Sequence, residues 1–183
     1  MKKTLISLVF LFGVLSAASA QEKSFDFNKL YGAFNITSGG APNLNFTTKD
    51  FAIESVGVEM GYRFTPSFSL FALATGDINL LNYTSTKNFN KTGTVGLGAA
   101  YAFNIGNNTY IEPVISCATT YMKTDLNYLT PKFEIRWGTK NPWNKNSQFG
   151  PYLGVGLQYI HPYNTSTTPN MLMGCATIGF KLF

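Results

Sequence analysis

After its first 20 residues the chain has no apolar run long enough to cross a bilayer as a helix, which takes about 18 or more consecutive apolar residues. That absence leaves a barrel as the only way for it to span a membrane. The chain has one histidine and two cysteines, and no cluster of them has metal-ligand spacing, so neither a metal nor another cofactor is expected. Charge is scarce too: 14 basic residues stand against 9 acidic ones, +5 overall, and 12 against 9 once Lys2 and Lys3 are set aside. So weak and scattered a positive balance argues against a nucleic-acid partner.

Residues 1–20 read as an export signal. Lys2 and Lys3 form the basic start, Leu5 to Leu15 an apolar core too short to span, and Ala18-Ser19-Ala20 a small-residue cleavage site. The mature chain is expected to begin at Gln21 and to form one domain over residues 21–183. No cysteine follows the cleavage site, which argues against a lipoprotein.

What is abundant is alternation. In Ser55 to Phe64, SVGVEMGYRF, one strand face carries Val56, Val58, Met60, Tyr62 and Phe64, and the other Ser55, Gly57, Glu59, Gly61 and Arg63. The apolar face ends in two aromatic residues beside a Thr65-Pro66-Ser67 turn, as a lipid-facing strand does at a membrane interface. The same period recurs along the chain. A lead-in over Phe25 to Lys29 precedes strands predicted at Leu30 to Thr37, Phe51 to Phe64, Phe68 to Leu80, Gly93 to Ile105, Tyr110 to Met122, Tyr128 to Gly138, Phe149 to Ile160 and Met171 to Leu182. In the third, Ser69 to Leu73 blur the two faces and leave the register open. Pro113 lacks a ladder donor, so a bulge is expected there.

Polar loops are expected over Ser38 to Lys49, Asn82 to Lys91 and His161 to Pro169, and Thr139 to Gln148, rich in Asn and Lys, is expected to be a connection longer than the other two turns on its side. Lys123 to Asn127 is expected to turn, and Gly106-Asn107-Asn108 to turn tightly. Short turns on one side and longer polar loops on the other mark an all-β, eight-stranded, antiparallel up-and-down transmembrane β-barrel, with the short turns in the periplasm.

The strands VGLGAAYAF and GPYLGVGLQY and the terminal Phe183 resemble those of the small eight-stranded outer-membrane barrel proteins of the OmpA-domain and OmpX type. The resemblance extends over nearly all of residues 21–183. It implies a place in the bacterial outer membrane, with outer-membrane lipids and the barrel-insertion machinery as partners. In such proteins outward apolar residues usually fall in step with the last Phe. Here Lys181 is in step with Phe183, and Phe180 and Leu182 are one residue out.

Seven inward charges, Glu59, Arg63, Glu112, Lys132, Glu134, Arg136 and Lys181, are the nearest thing to a constellation. Paired carboxylates suit acid–base chemistry, but a narrow lumen filled with side chains also needs its charges paired, because unpaired ones are costly. A structural network is therefore the first reading, and a gate on a narrow pore another. His161 invites comparison with lipid-modifying barrels, which place a His, a Ser and a carboxylate at the outer rim. HPYNTS does not match the motif of those enzymes, and no catalytic residue is assigned. Cys117 is expected outward and Cys175 inward on non-neighbouring strands, hence two free thiols.

The function expected is structural or interactive, with the long loops meeting an extracellular ligand, a host surface or neighbouring proteins. A narrow channel for ions or very small solutes is the alternative, and a lipid A-modifying enzyme a third reading.

Overall fold

Backbone pairing carries this alternation around a closed ring. The computed structural model describes residues 26–41, 51–83, 86–121, 127–139, 150–163 and 170–182, with the backbone alone at 51, 80–83 and 86–90. A short 3-10 turn, Phe27–Lys29, leads in, its first turn capped by the Asp26 carboxylate, which accepts from the Asn28 N–H at 3.0 Å. Eight strands follow: β1 Leu30–Ala41, β2 Phe51–Arg63, β3 Phe68–Tyr83, β4 Thr86–Tyr101 with a continuation at Phe103–Asn104, β5 Thr109–Thr120, β6 Tyr128–Thr139, β7 Pro151–Pro162 and β8 Met171–Leu182. Each pairs antiparallel with the next, β8 returns to β1 (Phe34 opposite Phe180), and the ring has no free start. A closed ring satisfies backbone donors and acceptors without an edge, as a bilayer demands.

The outer face is apolar because it meets lipid. Val58, Val155 and Ile178 are 55%, 66% and 66% exposed, values that would be costly in water over so continuous a band. At the end carrying the short turns the band closes in aromatic residues. Tyr62 stacks edge-on with Phe64 at 5.2 Å between ring centroids, Tyr101 lies 4.8 Å from Phe103, and Trp137 is exposed nearby in the band. At the opposite end, the loop end, the outward side chains turn charged: exposed Glu54 and Lys91 flank Ile78 across β2, β3 and β4.

Several strand limits differ from the sequence reading. β1 continues through Ser38 to Ala41, paired to Phe51, and the Ser38 hydroxyl donates to Glu54 at 2.7 Å. The polar stretch from Asn82 to Lys91 is a paired hairpin rather than a loop, with Tyr83 opposite Thr86. A polar stretch is thus no sign by itself of a break in pairing. His161 and Pro162 likewise belong to β7. β5 ends at Thr120, and Met122, most of the Lys123 to Asn127 turn, Thr139 to Gln148 beyond its first residue, and most of the last loop lie outside the described residues.

Pro113 makes no bulge. The β4–β5 register is the same on both sides of it, Ala100 opposite Val114 and Phe103 opposite Ile111. The missing donor falls in a gap in the β4–β5 ladder between these two pairs, while on the other side of β4 the Ala102 N–H donates to Ser67 O at 2.8 Å. Gly106, at φ +100°, supplies the left-handed residue of the tight β4–β5 turn.

Candidate functional site: the barrel lumen

Inward side chains fill the lumen in layers. Nearest the turn end lies an aromatic layer, Tyr31, Phe71, Tyr110 and Tyr152, each no more than 3% exposed and closed in by Ala100 and Val114. These four start the odd-numbered strands, and each stands opposite a glycine on the neighbouring even strand: Gly61, Gly98, Gly138 and Gly179 respectively. A Cβ at any of these glycines would run into the ring opposite. The inner face therefore makes room for a bulky ring by giving up a side chain across from it.

Charges sit directly against this layer. Lys181 Nζ lies 2.6 Å from both oxygens of Glu112 and 5.3 and 5.4 Å from the Tyr31 and Tyr110 ring centroids. Arg136 reaches Glu59 with two nitrogens, at 2.9 and 2.6 Å, and donates through Nε to Glu134 at 2.9 Å. Its guanidinium covers the Tyr152 ring at 4.8 Å. Lys132 completes this group, 3.4 Å from Glu134 and donating to Thr177 at 3.1 Å. Arg63 stands at the turn-end mouth, 6.0 Å from the Tyr31 ring centroid. Six of the seven residues named from the sequence are thus joined, as Lys132–Glu134–Arg136–Glu59 and as Lys181–Glu112, and the seventh, Arg63, faces the Tyr31 ring.

An eighth inward charge, Asp77, was not evident from the sequence. It lies on β3, buried, accepting from the Tyr128 hydroxyl at 2.8 Å and the Thr75 hydroxyl at 2.7 Å. With it, the inward charges among the described residues balance: Glu59, Asp77, Glu112 and Glu134 against Arg63, Lys132, Arg136 and Lys181. The signal lay in β3's odd positions, where Ser69, Thr75, Asp77 and Asn79 share a parity, while its even positions are Leu70, Ala72, Ala74, Gly76 and Ile78.

Above the ion pairs is a cavity of about 60 Å³ whose walls include Asn35, Ser55, Thr94, Ser116, Lys132 and Gln158. Toward the loop end it is capped by Ile53, Tyr128, Ile160 and Met173, all fully buried. Cys175 is buried on this inner face between Met173 and Thr177, and Cys117 is exposed on the outer face; both thiols are free. Thus alternation placed both cysteines on their proper faces.

His161 is exposed on the outer side of β7, its Nδ1 2.8 Å from Asn170 Oδ1. Ser166 lies outside the described residues. Among the described residues no group of three or more His, Cys, Asp or Glu side chains is arranged to hold a metal ion.

A family model described as "Outer membrane protein beta-barrel domain" matches residues 6–168. Among solved structures, Neisserial surface protein A (NspA) is similar at 14% identity with a TM-score of 0.50, covering 84% of this chain and 96% of that one. A de novo designed transmembrane β-barrel (13% identity, TM-score 0.41, 83% and 95% covered) and the translocator domain of the autotransporter NalP from Neisseria meningitidis (8%, 0.37, 99% and 98%) are also similar. No functionally curated protein matches the chain in sequence. At these identities the structural likeness concerns fold alone. The family match spans most of the sequence and agrees with the closed eight-stranded ring: the chain belongs to the outer membrane protein beta-barrel domain family, whose place is the bacterial outer membrane.

Proposed function

We propose that this protein is a closed outer-membrane barrel whose role is structural or interactive at the cell surface, carried by its extracellular connections. The observation that supports this most is the packing of the lumen, filled by an aromatic layer, paired charges and a second apolar layer at the loop end. A solute pathway needs continuous polar space, whereas the cavity above the ion pairs holds about 60 Å³ and packed layers lie on both sides of it. The charge network then serves to hold the strands in register and to keep the interior neutral. On this reading residues 1–20 are the export signal that takes the chain to the membrane, the barrel-insertion machinery and outer-membrane lipids are its partners, and it is not an enzyme. Exchange of segments 42–50 and 164–169 for short turn sequences, followed by binding of whole cells to host-surface material, tests the surface role: retained folding with lost adhesion supports it, and unchanged adhesion with both segments replaced counts against it.

The channel reading draws on one feature, the polar cavity midway along the axis. A narrow pore would need both layers around it to part.

A further inference from the structure

Inward residues on every strand fall into the same axial order, so the barriers above and below the cavity are separate structures. The lower barrier is the Tyr31, Phe71, Tyr110 and Tyr152 layer with Arg136 laid against it, 4.8 Å above Tyr152 and 5.9 Å from Phe71. The upper one is Ile53, Tyr128, Ile160 and Met173. No residue belongs to both. Along the cavity wall between them, Tyr128 bonds to Asp77 and Arg136 to Glu59.

Most of the residues that line the cavity between them are polar or charged, with Val58, Leu73 and Ala118 among them. Asn35 donates to Glu59 and Gln158 to Thr130, which leaves each amide's carbonyl oxygen free of that bond, and hydroxyls of Ser55, Thr94 and Ser116 line the wall. A space of this size suits about four to six water molecules, at about 10 to 15 Å³ per water, with several polar partners in the wall.

We propose that the cavity is a water-filled chamber sealed by two barriers in series, making the barrel a lock that conducts ions only when both barriers are opened. This rests on the closed-barrel reading and adds to it a specific consequence. Opening either barrier alone connects the chamber to one side of the membrane and leaves the other barrier intact, because the two layers share no residue. An ion then still meets a closely packed layer, the four rings below or Ile53, Tyr128, Ile160 and Met173 above, whose polar atoms, such as the Asn79 amide and the tyrosine hydroxyls, are too few to replace its hydration shell.

Cys175 is a reporter already in place. It lies on the chamber side of Met173, next to Gly39 and above Thr177 on the inner face. The test uses full-length protein carrying Cys117→Ala, in wild-type lumen form, with Tyr128→Ala (upper barrier open), with Phe71→Ala and Tyr152→Ala together (lower open), and with all three. Heat-dependent gel mobility establishes that each form is folded, and a combination that fails this check is replaced by Met173→Gly for the upper barrier or Tyr110→Ala for the lower. Planar-bilayer conductance and labelling of Cys175 on intact cells by a small cationic methanethiosulfonate are then measured. The expected pattern is conductance in the combined form alone, with external labelling of Cys175 in the Tyr128→Ala and combined forms and none in the lower-barrier form. Conductance from one barrier's variant equal to that of the combined form would overturn the series arrangement, as would a folded combined form that stays silent. Conductance of the unmodified lumen would instead overturn the closed-barrel reading itself.

Discussion

Arg136 on β6 and Glu59 on β2 meet across the lumen in a two-pronged ion pair, with nitrogen–oxygen distances of 2.9 and 2.6 Å and both side chains almost wholly buried. The guanidinium fork fits the carboxylate with two parallel bonds, and its third nitrogen holds Glu134. Strands from opposite sides of the ring are thereby tied together. Arg136→Met strands two buried carboxylates, and removing one partner of a buried pair costs about 3–5 kcal/mol. A loss of that order is expected in denaturant unfolding of the detergent-solubilised barrel. Arg136→Lys keeps the charge without the fork and should lose less. A change under about 1 kcal/mol for Arg136→Met would show that the pair does little for the fold.

The two faces of the strands should answer differently to charge. Val58 and Val155 look outward, 55% and 66% exposed, whereas Gln158 is buried in the chamber wall. Arginine facing lipid near the midplane costs roughly 2–4 kcal/mol. Beside the chamber, Glu59, Asp77 and Glu134 outnumber Lys132 and Arg136, so an added cation finds a partner there. Val58→Arg and Val155→Arg are expected to impair membrane insertion far more than Gln158→Arg, measured as the folded fraction in outer-membrane preparations. Equal losses would mean the faces are reversed.

The glycines opposite the aromatic layer should be intolerant of side chains. At Gly61 and Gly138 a Cβ would meet the rings of Tyr31 and Tyr110, while at Gly174, on the outer face, it would meet nothing within 4 Å. Overpacking of this kind costs typically about 1–3 kcal/mol. Gly61→Ala and Gly138→Ala are therefore expected to lower the unfolding midpoint, and Gly174→Ala to leave it nearly unchanged. A midpoint as high for Gly138→Ala as for Gly174→Ala would show that the ring yields freely.

How far the sequence reached depends on where each residue lies relative to the bilayer. In β2 and β6 every outward position is apolar or aromatic from Val56 to Tyr62 and from Leu129 to Trp137, so lipid writes the face directly into the pattern. β3 is different. Its outward Ala72, Ala74 and Gly76 are too small to contrast with inward Phe71 and Leu73, and with the register went Asp77, the charge that balances the lumen. Strand ends were hidden for another reason: hydropathy stops at the membrane surface, but hydrogen bonding runs on, through Ala41 in β1 and Tyr83 in β3. The ion pairs, which join strands far apart in sequence, could be anticipated as a set of inward charges; only the packing assigns Glu112 to Lys181 and Glu59 to Arg136.

His161 should be dispensable. It sits exposed at the loop end with an asparagine amide as its hydrogen-bond partner, whereas a general base must be held beside a nucleophile. His161→Ala is expected to leave insertion, stability and the lipid A profile of the host membrane unchanged. Removal or addition of an acyl chain by the wild type, abolished in a His161→Ala barrel that still inserts, would put the enzyme reading first.

The central claim is that the lumen of the native barrel is shut. Purified, heat-modifiable wild-type protein reconstituted into planar bilayers measures this directly, with current recorded across a range of voltages. With an aromatic layer below the chamber and Ile53, Tyr128, Ile160 and Met173 above it, the expected result is a baseline indistinguishable from protein-free bilayers. Reproducible unitary openings that scale with the amount of folded protein would contradict it.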